Sequence, residues 1–433
     1  MSKIDLTKPF FYIILDCLNN VVHTLSIIKM RKIFLTLFNL TLFTVNAQST
    51  VFEGKIMDKT TKESIPFANV IALQTAQGVI SNEDGVFKFY IPKNVTTIEI
   101  SSLGYQSEKF EVSKIDSTFT TVFLEIDEIA LEEVIVTNKP IATILSGIIS
   151  HSKTLLDKSV KLETYYREFV KINNKYSKFA DGLIDFYLQP KKKDKLETKL
   201  IVNQSRAYQL IGANEIEKKG KADLAEMDSF FDIQKAANGF FSYDYIEKNI
   251  LSKKNEPNYD FELRSKKDQY GNAIEVIYII PKPNVEEVLL EGKITYDPVN
   301  RIVLNIDIKM SEKHKKNVKI TNMLLFKYAF YDIQIKQSYK YINGKYIPSY
   351  KKTLLDVYIK FGGQMNDRMM SISDLMVTNF DDTITIIPDK NAAFKERNLY
   401  PNGMNYKENF WETNNAMPLS ENEERILKTL KNN

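Results

Sequence analysis

The sequence predicts a mainly β protein with some helix (α+β): an N-terminal β-sandwich of immunoglobulin-like strand spacing, then a large curved antiparallel sheet with short helices. Three observations carry this reading. Between Gly54 and Glu125, breaks recur about every ten residues, near Asp58–Lys62, Thr75–Gly78, Asn82–Gly85, Pro92–Asn94 and Gly104, which is the rhythm of a sandwich. From Phe261 onward, apolar residues alternate with polar ones, most cleanly at Ile302, Leu304, Ile306, Ile308 and Met310, as in strands with one packed and one wet face. Helical periodicity is confined to short stretches.

In chain order, Met30-Arg31-Lys32, an apolar run to Thr44 and Val45-Asn46-Ala47 have the form of a secretory signal, so Met1–Lys29 reads as an extension from a misassigned start. Asp16, Asn19, Asn20 and His23 interrupt the earlier apolar stretch well short of the roughly 18 residues of a membrane span. A mature chain from Gln48 would lose five Lys/Arg and two Asp/Glu, taking the net charge from +4 to about +1. Nucleic-acid binding then lacks its electrostatic footprint. The one cysteine, Cys17, would be lost as well, and with it any disulfide, thiolate nucleophile or lipid attachment. The expected location is the periplasm or the outer-membrane surface of a cell envelope.

Within the first domain, Ser81-Asn82-Glu83-Asp84-Gly85 is a turn with glycine at positive φ; it lacks the ligand series of a calcium loop. Together with Ile65-Pro66-Phe67-Ala68-Asn69-Val70 and Ser101-Ser102-Leu103-Gly104-Tyr105, it resembles the carboxypeptidase-regulatory-like domain of Bacteroidota envelope proteins. That resemblance implies a transthyretin-like sandwich over residues 48–137 with no catalytic residues. Leu131–Thr137 is similar to the link between such a domain and the plug of TonB-dependent receptors, but the remaining sequence does not read as a barrel.

Ile141, Ile144, Leu145, Ile148 and Ile149 share a helical face, predicting a linker helix within residues 138–160. Leu162–Ile172 and Tyr176–Leu188 read as a hairpin around Asn173-Asn174-Lys175. Pro190–Lys199 reads as a solvated charged loop that opens an irregular insertion at about 190–260, with helical character near Ala222–Ala237. Asp297-Pro298-Val299-Asn300 and Asn343-Gly344 are turns of the sheet domain, residues 161–419. Ser420-Glu421-Asn422-Glu423 is a capping box opening a C-terminal helix, and Phe410-Trp411 before it holds the only tryptophan. Glu291–Pro298 and Tyr341–Pro348 resemble in pattern the half-barrels of periplasmic lipoprotein carriers, which implies a concave sheet able to hold an acyl chain or peptide. Filling of the sheet's inner face by helices, such as the one starting at Ser420, gives the same alternation.

The chain offers no set of residues that specifies a reaction. His151 and His314, the two histidines past the leader, sit in none of the spacings that ligate zinc, and no nucleophile elbow, phosphate loop or dinucleotide fingerprint occurs. No catalytic residue, metal or cofactor is therefore expected. Tyr165-Tyr166-Arg167-Glu168 is the densest polar-aromatic cluster; alternation sends Arg167 and Glu168 to opposite faces, and Arg167 reads either as a cross-sheet ion pair or as a ligand contact. The binding candidates are Arg167 and Tyr166, with Tyr339 and Tyr341 from the tyrosine-rich strands. Asp116-Ser117-Thr118 and Asp382-Thr383-Ile384 resemble O-glycan acceptor triplets. The leading expectation is a non-catalytic envelope protein with a docking sandwich and a sheet that binds a partner or amphipathic ligand. The rivals are an envelope hydrolase acting through carboxylates, a fragment related to TonB-dependent receptors, and a purely structural interaction protein.

Overall fold

Seven short strands build the first layer. The computed structural model describes residues 50–431 except 76, 103, 116–118, 128–132, 157–158, 192–194, 211–231, 268–270, 324–325, 343, 362–364, 385–387, 390–391 and 404–413. The expected leader and Gln48, the triplet Asp116-Ser117-Thr118, Phe410-Trp411 and most of Ala222–Ala237 lie outside the described residues.

Strands β1 (Val51–Asp58), β4 (Val86–Tyr90) and β7 (Thr120–Leu124) form one sheet, with β7 parallel to β1. A second contains β2 (Asn69–Ala72), β3 (Gly78–Ile80), β5 (Thr97–Ser101) and β6 (Glu108–Glu111). The alternation of Val86–Tyr90 has the expected outcome: Phe87 and Phe89 are buried while their neighbours are partly exposed. In the turn before it, Gly85 has φ +77° and the Asn82 side chain accepts from the backbone N–H groups of Asp84 and Val86, which is turn chemistry and not cation ligation. A Cβ at Gly54 would lie 1.9 Å from the Thr120 carbonyl oxygen. Gly54→Ala is expected to cost about 1–3 kcal/mol by forcing β1 and β7 apart, seen as a lower urea midpoint; an unchanged midpoint would show that the parallel pairing tolerates that spread.

The second layer is a 12-stranded antiparallel open sheet. Its strands are β8 (Glu133–Val134), β9 (Val160–Ile172), β10 (Lys175–Lys191), β11 (Lys195–Gln209), β12 (Tyr259–Lys267), β13 (Ala273–Pro281), β14 (Leu290–Asp297), β15 (Ile302–Met310), β16 (Thr321–Met323), β17 (Phe326–Ile342), β18 (Lys345–Phe361) and β19 (Met365–Asp381). In space they run β11-β10-β9-β19-β18-β17-β15-β14-β13-β12-β8, with β16 on β17. The expected loop at Pro190–Lys199 is instead largely the ends of a β10–β11 hairpin. Lys195, Glu197 and Lys199 alternate with Leu196, Thr198 and Leu200, and Lys191 pairs across the strands with Glu197 at 3.0 Å. Cross-strand charge pairing satisfies a ladder as well as a loop does, and the charges hid the strand period.

Each face of the sheet is covered by the chain itself. Helix α1 (Ile141–Leu155) lays Leu145, Ile148 and Ile149 on one face, and Ser152 Oγ accepts from the Val303 N–H at 3.0 Å. Beside it, Ile233, Ala237, Phe240, Tyr243, Ile246 and Ile250, the last four around α2 (Asp244–Asn249), join the same core. Each Leu, Ile or Phe side chain among them contributes about 1.5–3 kcal/mol. The opposite face carries the sandwich, whose core takes in Tyr165, Leu183, Tyr350, Met376 and Met417. It also carries the C-terminal helix α3 (Glu421–Lys431), which packs Leu427 and Leu430 on Phe169 and Phe179. The capping box forms: Ser420 N–H donates to Glu423 Oε2 at 2.7 Å, and Glu423 N–H to Ser420 Oγ at 3.3 Å. The face with the apolar alternation is thus filled by α1 and residues 232–250, whereas the helix after Ser420 lies on the other side.

Candidate functional site

Alternation divides the Tyr165–Glu168 cluster between the two faces. Tyr165 and Arg167 face the sandwich, where register aligns Lys352, Asp374, Arg167, Asp181 and Arg206 on five consecutive strands. The signs alternate along this row. Arg167, fully buried, donates to Asp374 and Glu423, each at 2.8 Å, and Arg206 donates to Asp181 at 2.7 Å. Tyr350 and Tyr165 hydroxyls donate to Asp374 and Asp181 at 2.5 and 2.9 Å. Lys352 reaches out to Glu83 in the sandwich at 2.6 Å, and the neighbouring Asp84 accepts from the Glu421 N–H of α3 at 2.8 Å. Burial works to raise the Asp374 carboxyl, but the Arg167 and Lys352 cations outweigh it and hold the group below its ordinary value. The sequence candidate Arg167 is therefore committed on all sides to chain groups.

Tyr339 is likewise committed. It stacks between Tyr346 and Tyr243, with ring centroids 5.0 and 6.2 Å apart, and its hydroxyl donates to the Phe240 carbonyl at 2.8 Å. Gln337 donates to the Gly239 carbonyl at 2.7 Å and accepts from Tyr245 at 2.5 Å, while Tyr346 donates to the Val303 carbonyl at 2.6 Å. This network clamps residues 239–245 to the sheet. Tyr341 is 45% exposed and borders a recess of about 70 Å³ with Phe241, Lys345 and Asp382. His314 is buried between Ser311 and the Lys282 carbonyl, and His151 is on the exposed side of α1.

Tyr166 and Glu168 face the other way and open into a cleft of about 230 Å³ with Lys351, Thr353, Ser371, Ser373 and Asp232. Pairing makes this one patch: Lys351 is opposite Leu375, which is opposite Tyr166, and the next row runs Thr353, Ser373, Glu168. Glu168 accepts from Ser371 Oγ at 2.7 Å and from the Tyr400 hydroxyl at 3.2 Å. Burial pushes the Tyr166 hydroxyl up, with the Glu168 charge adding to the effect, so it stays a neutral donor. Burial brings the Lys351 ammonium down to about 8, and it has a 3.5 Å contact with the Ala236 carbonyl. Sequence inspection missed Lys351, because a lysine on a strand signals nothing until register sets it beside Tyr166.

A wider recess of about 450 Å³ lies between the sandwich residue Gln77 and the sheet, where Asn203 and Thr378 are the extra residues of two β-bulges. Its carboxylates Glu163 and Asp185 are both bridged by Lys161, at 2.8 and 3.1 Å. Among the described residues, no three His, Cys, Asp or Glu side chains gather as a metal site, and no helix is long and apolar enough to cross a membrane.

No curated protein sequence matches the chain. Among solved structures, it is similar to an outer membrane lipoprotein-sorting protein domain of Vibrio parahaemolyticus, with 12% identity, TM-score 0.26, and coverage of 58% of this chain and 94% of that one. A DUF1329 family protein of Desulfovibrio piger is similar at 9% identity and TM-score 0.22, covering 57% and 96%. Lipovitellin is similar at 10% and 0.23, covering 54% and 26%. Residues 52–136 match the CarboxypepD_reg-like domain family, so the sandwich predicted from the Pro-led strand, the Asp-Gly turn and the Gly-Tyr corner is a CarboxypepD_reg-like domain carried on a large open β-sheet.

Proposed function

We propose that the protein is a non-catalytic, exported protein of the cell envelope. In this reading the CarboxypepD_reg-like domain is a fixed docking module, and the sheet binds a small polar ligand or partner group bearing an anion. The observation that carries it is the Lys351 cleft: a poorly hydrated ammonium beside the hydroxyls of Tyr166, Thr353 and Ser373. An entering carboxylate would replace the water that Lys351 has lost, and the hydroxyls would orient it. About 230 Å³ suits one sugar- or residue-sized group. Beneath α1, residues 232–250 and the sandwich, the sheet is packed by the chain's own side chains, which favours this reading over carriage of an acyl chain.

The test is calorimetric titration with a uronate disaccharide, as free acid and as methyl ester. The acid should bind and the ester should not. Affinity should fall as the pH rises through about 8, because the free ammonium loses its proton there. Lys351→Met should weaken binding at least about tenfold, the worth of one charge-assisted bond. Equal binding of acid and ester would overturn the site, turnover of the disaccharide would establish a hydrolase instead, and lipid extracted from envelope-purified protein would favour an amphipathic ligand.

A further inference from the structure

The far end of the β17–β18–β19 leaflet extends past the segments that α1, residues 232–250 and the sandwich cover. β15 pairs with β17 only over Gln334–Ser338, and β9 reaches β19 only as far as Met369. Beyond those limits the three strands continue, with β16 alone at their side among the described residues, to a last backbone row of Met323, Phe326, Phe361 and Met365. On β19 that is four residues, roughly 14 Å at strand rise. Three apolar residues, Met323, Phe326 and Phe361, thus stand side by side across three strands at this end of the described sheet.

This end has its own small core. Val357 and Ile359 are buried beneath Phe326, Tyr328, Phe330, Phe361 and Met369, and the rings of Phe326, Tyr328 and Phe330 follow one another at centroid spacings of 5.9 and 5.6 Å. By strand alternation these residues are on the face that carries Lys351, yet neither α1 nor residues 232–250 contribute to the cluster. At its margin Ile320 and Met323 are 49% and 45% exposed.

The surroundings of the apolar row are basic. The next row on the opposite face is Asn322, Lys327, Lys360 and Asn366. The segment from Glu312 to Lys327 contains five lysines and one glutamate, a net charge of +4 that equals the balance of the whole chain. Lys315 is neutralised by Glu312 and Asp332, at 2.7 and 3.1 Å. Lys313, Lys316, Lys319, Lys327 and Lys360 are exposed, and among the described residues none has an ion pair.

We propose that this tip docks on an anionic lipid surface. Phe326 and Phe361 with Ile320 and Met323 enter the boundary between headgroups and acyl chains, and Lys319, Lys327 and Lys360 meet the headgroup charge. An acidic protein would satisfy the lysines alone, while a neutral apolar groove would leave them stranded; a negatively charged bilayer answers both features at one end of the molecule. The proposal is independent of the Lys351 cleft, which lies farther along the same strands.

The test is co-sedimentation of the protein recovered from its envelope fraction with vesicles of phosphatidylcholine, alone or with 30% phosphatidylglycerol as the probe. Binding should be at least about tenfold stronger to the anionic vesicles and should weaken in 0.5 M salt, where charges are screened beyond about 4 Å. Lys327→Glu with Lys360→Glu should abolish the preference, and Ile320→Ser with Met323→Ser should weaken binding at least about tenfold at unchanged thermal midpoint. All four positions are exposed or marginal, so these variants keep the fold. Equal binding to both vesicles, or tip variants that bind like the parent, would overturn the proposal; loss of a protein partner with vesicle binding intact would show that the tip meets a protein.

Discussion

Arg167→Met is expected to lower the unfolding free energy by about 3–5 kcal/mol, because it leaves buried carboxylates without their cation. Asp374 and Glu423 would both lose a 2.8 Å partner, and the nearest remaining cation in the row, Lys352, is already engaged by Glu83. Urea unfolding at pH 7 reads the loss. Adding Asp374→Asn and Glu423→Gln should restore much of it, since the penalty lies in uncompensated charge and the three sites form one network. The pH dependence has a definite sign. Arg167 and Lys352 hold the Asp374 carboxyl below its ordinary 3.8, so its stabilisation is present above that pH and is lost as the pH falls through the lower, folded value. Burial raises the Glu423 carboxyl, which contributes with the opposite sign, so the Asp374 effect is read by comparing the parent with Asp374→Asn alone, and the parent should lose more stability on acidification. A loss below about 1 kcal/mol for Arg167→Met would mean that the row is exposed to water.

Tyr339→Ala is expected to cost about 3–5 kcal/mol, and Tyr339→Phe about 1–2 kcal/mol. The first removes the ring between Tyr243 and Tyr346 and leaves a cavity under residues 239–245; the second removes only the hydroxyl, which donates to the Phe240 carbonyl and accepts from Gln337. Hydrogen exchange should localise both effects to the amides of residues 239–250. If instead the alanine variant kept its stability and lost binding of the uronate probe, Tyr339 would be a ligand contact, as the tyrosine-rich pattern first suggested.

What the sequence disclosed and what it concealed follow from the range of the interactions. The Asp-Gly turn at Gly85, the hairpin at Asn173-Asn174, the helix at Ile141 and the capping box at Ser420 are local, each decided within a few residues, and each is read directly from the chain. The strand Lys195–Gln209 was concealed because cross-strand ion pairs replace the apolar period on which recognition depends. The filling of the sheet by Ile233, Phe240, Tyr243 and Ile246 was concealed because that segment makes short turns of helix with no sustained period. The cleft required register: Lys351 and Tyr166 are on different strands with β19 between them, and a one-residue slip would send either to the other face.

The row through Arg167 also sets an order of assembly. Arg167 is 207 residues from Asp374 and 256 from Glu423, and the Asp84–Glu421 contact spans 337. The glutamate that caps the final helix is the same one that neutralises the central arginine, so the cap and the ion cluster close in one event. Until α3 is available to dock, Arg167 has no complete set of counter-ions, and the middle of the sheet has no finished state to reach. Loops this long close slowly. Helix α3 thus acts as a latch, and the middle of the sheet stays pliant until that helix docks.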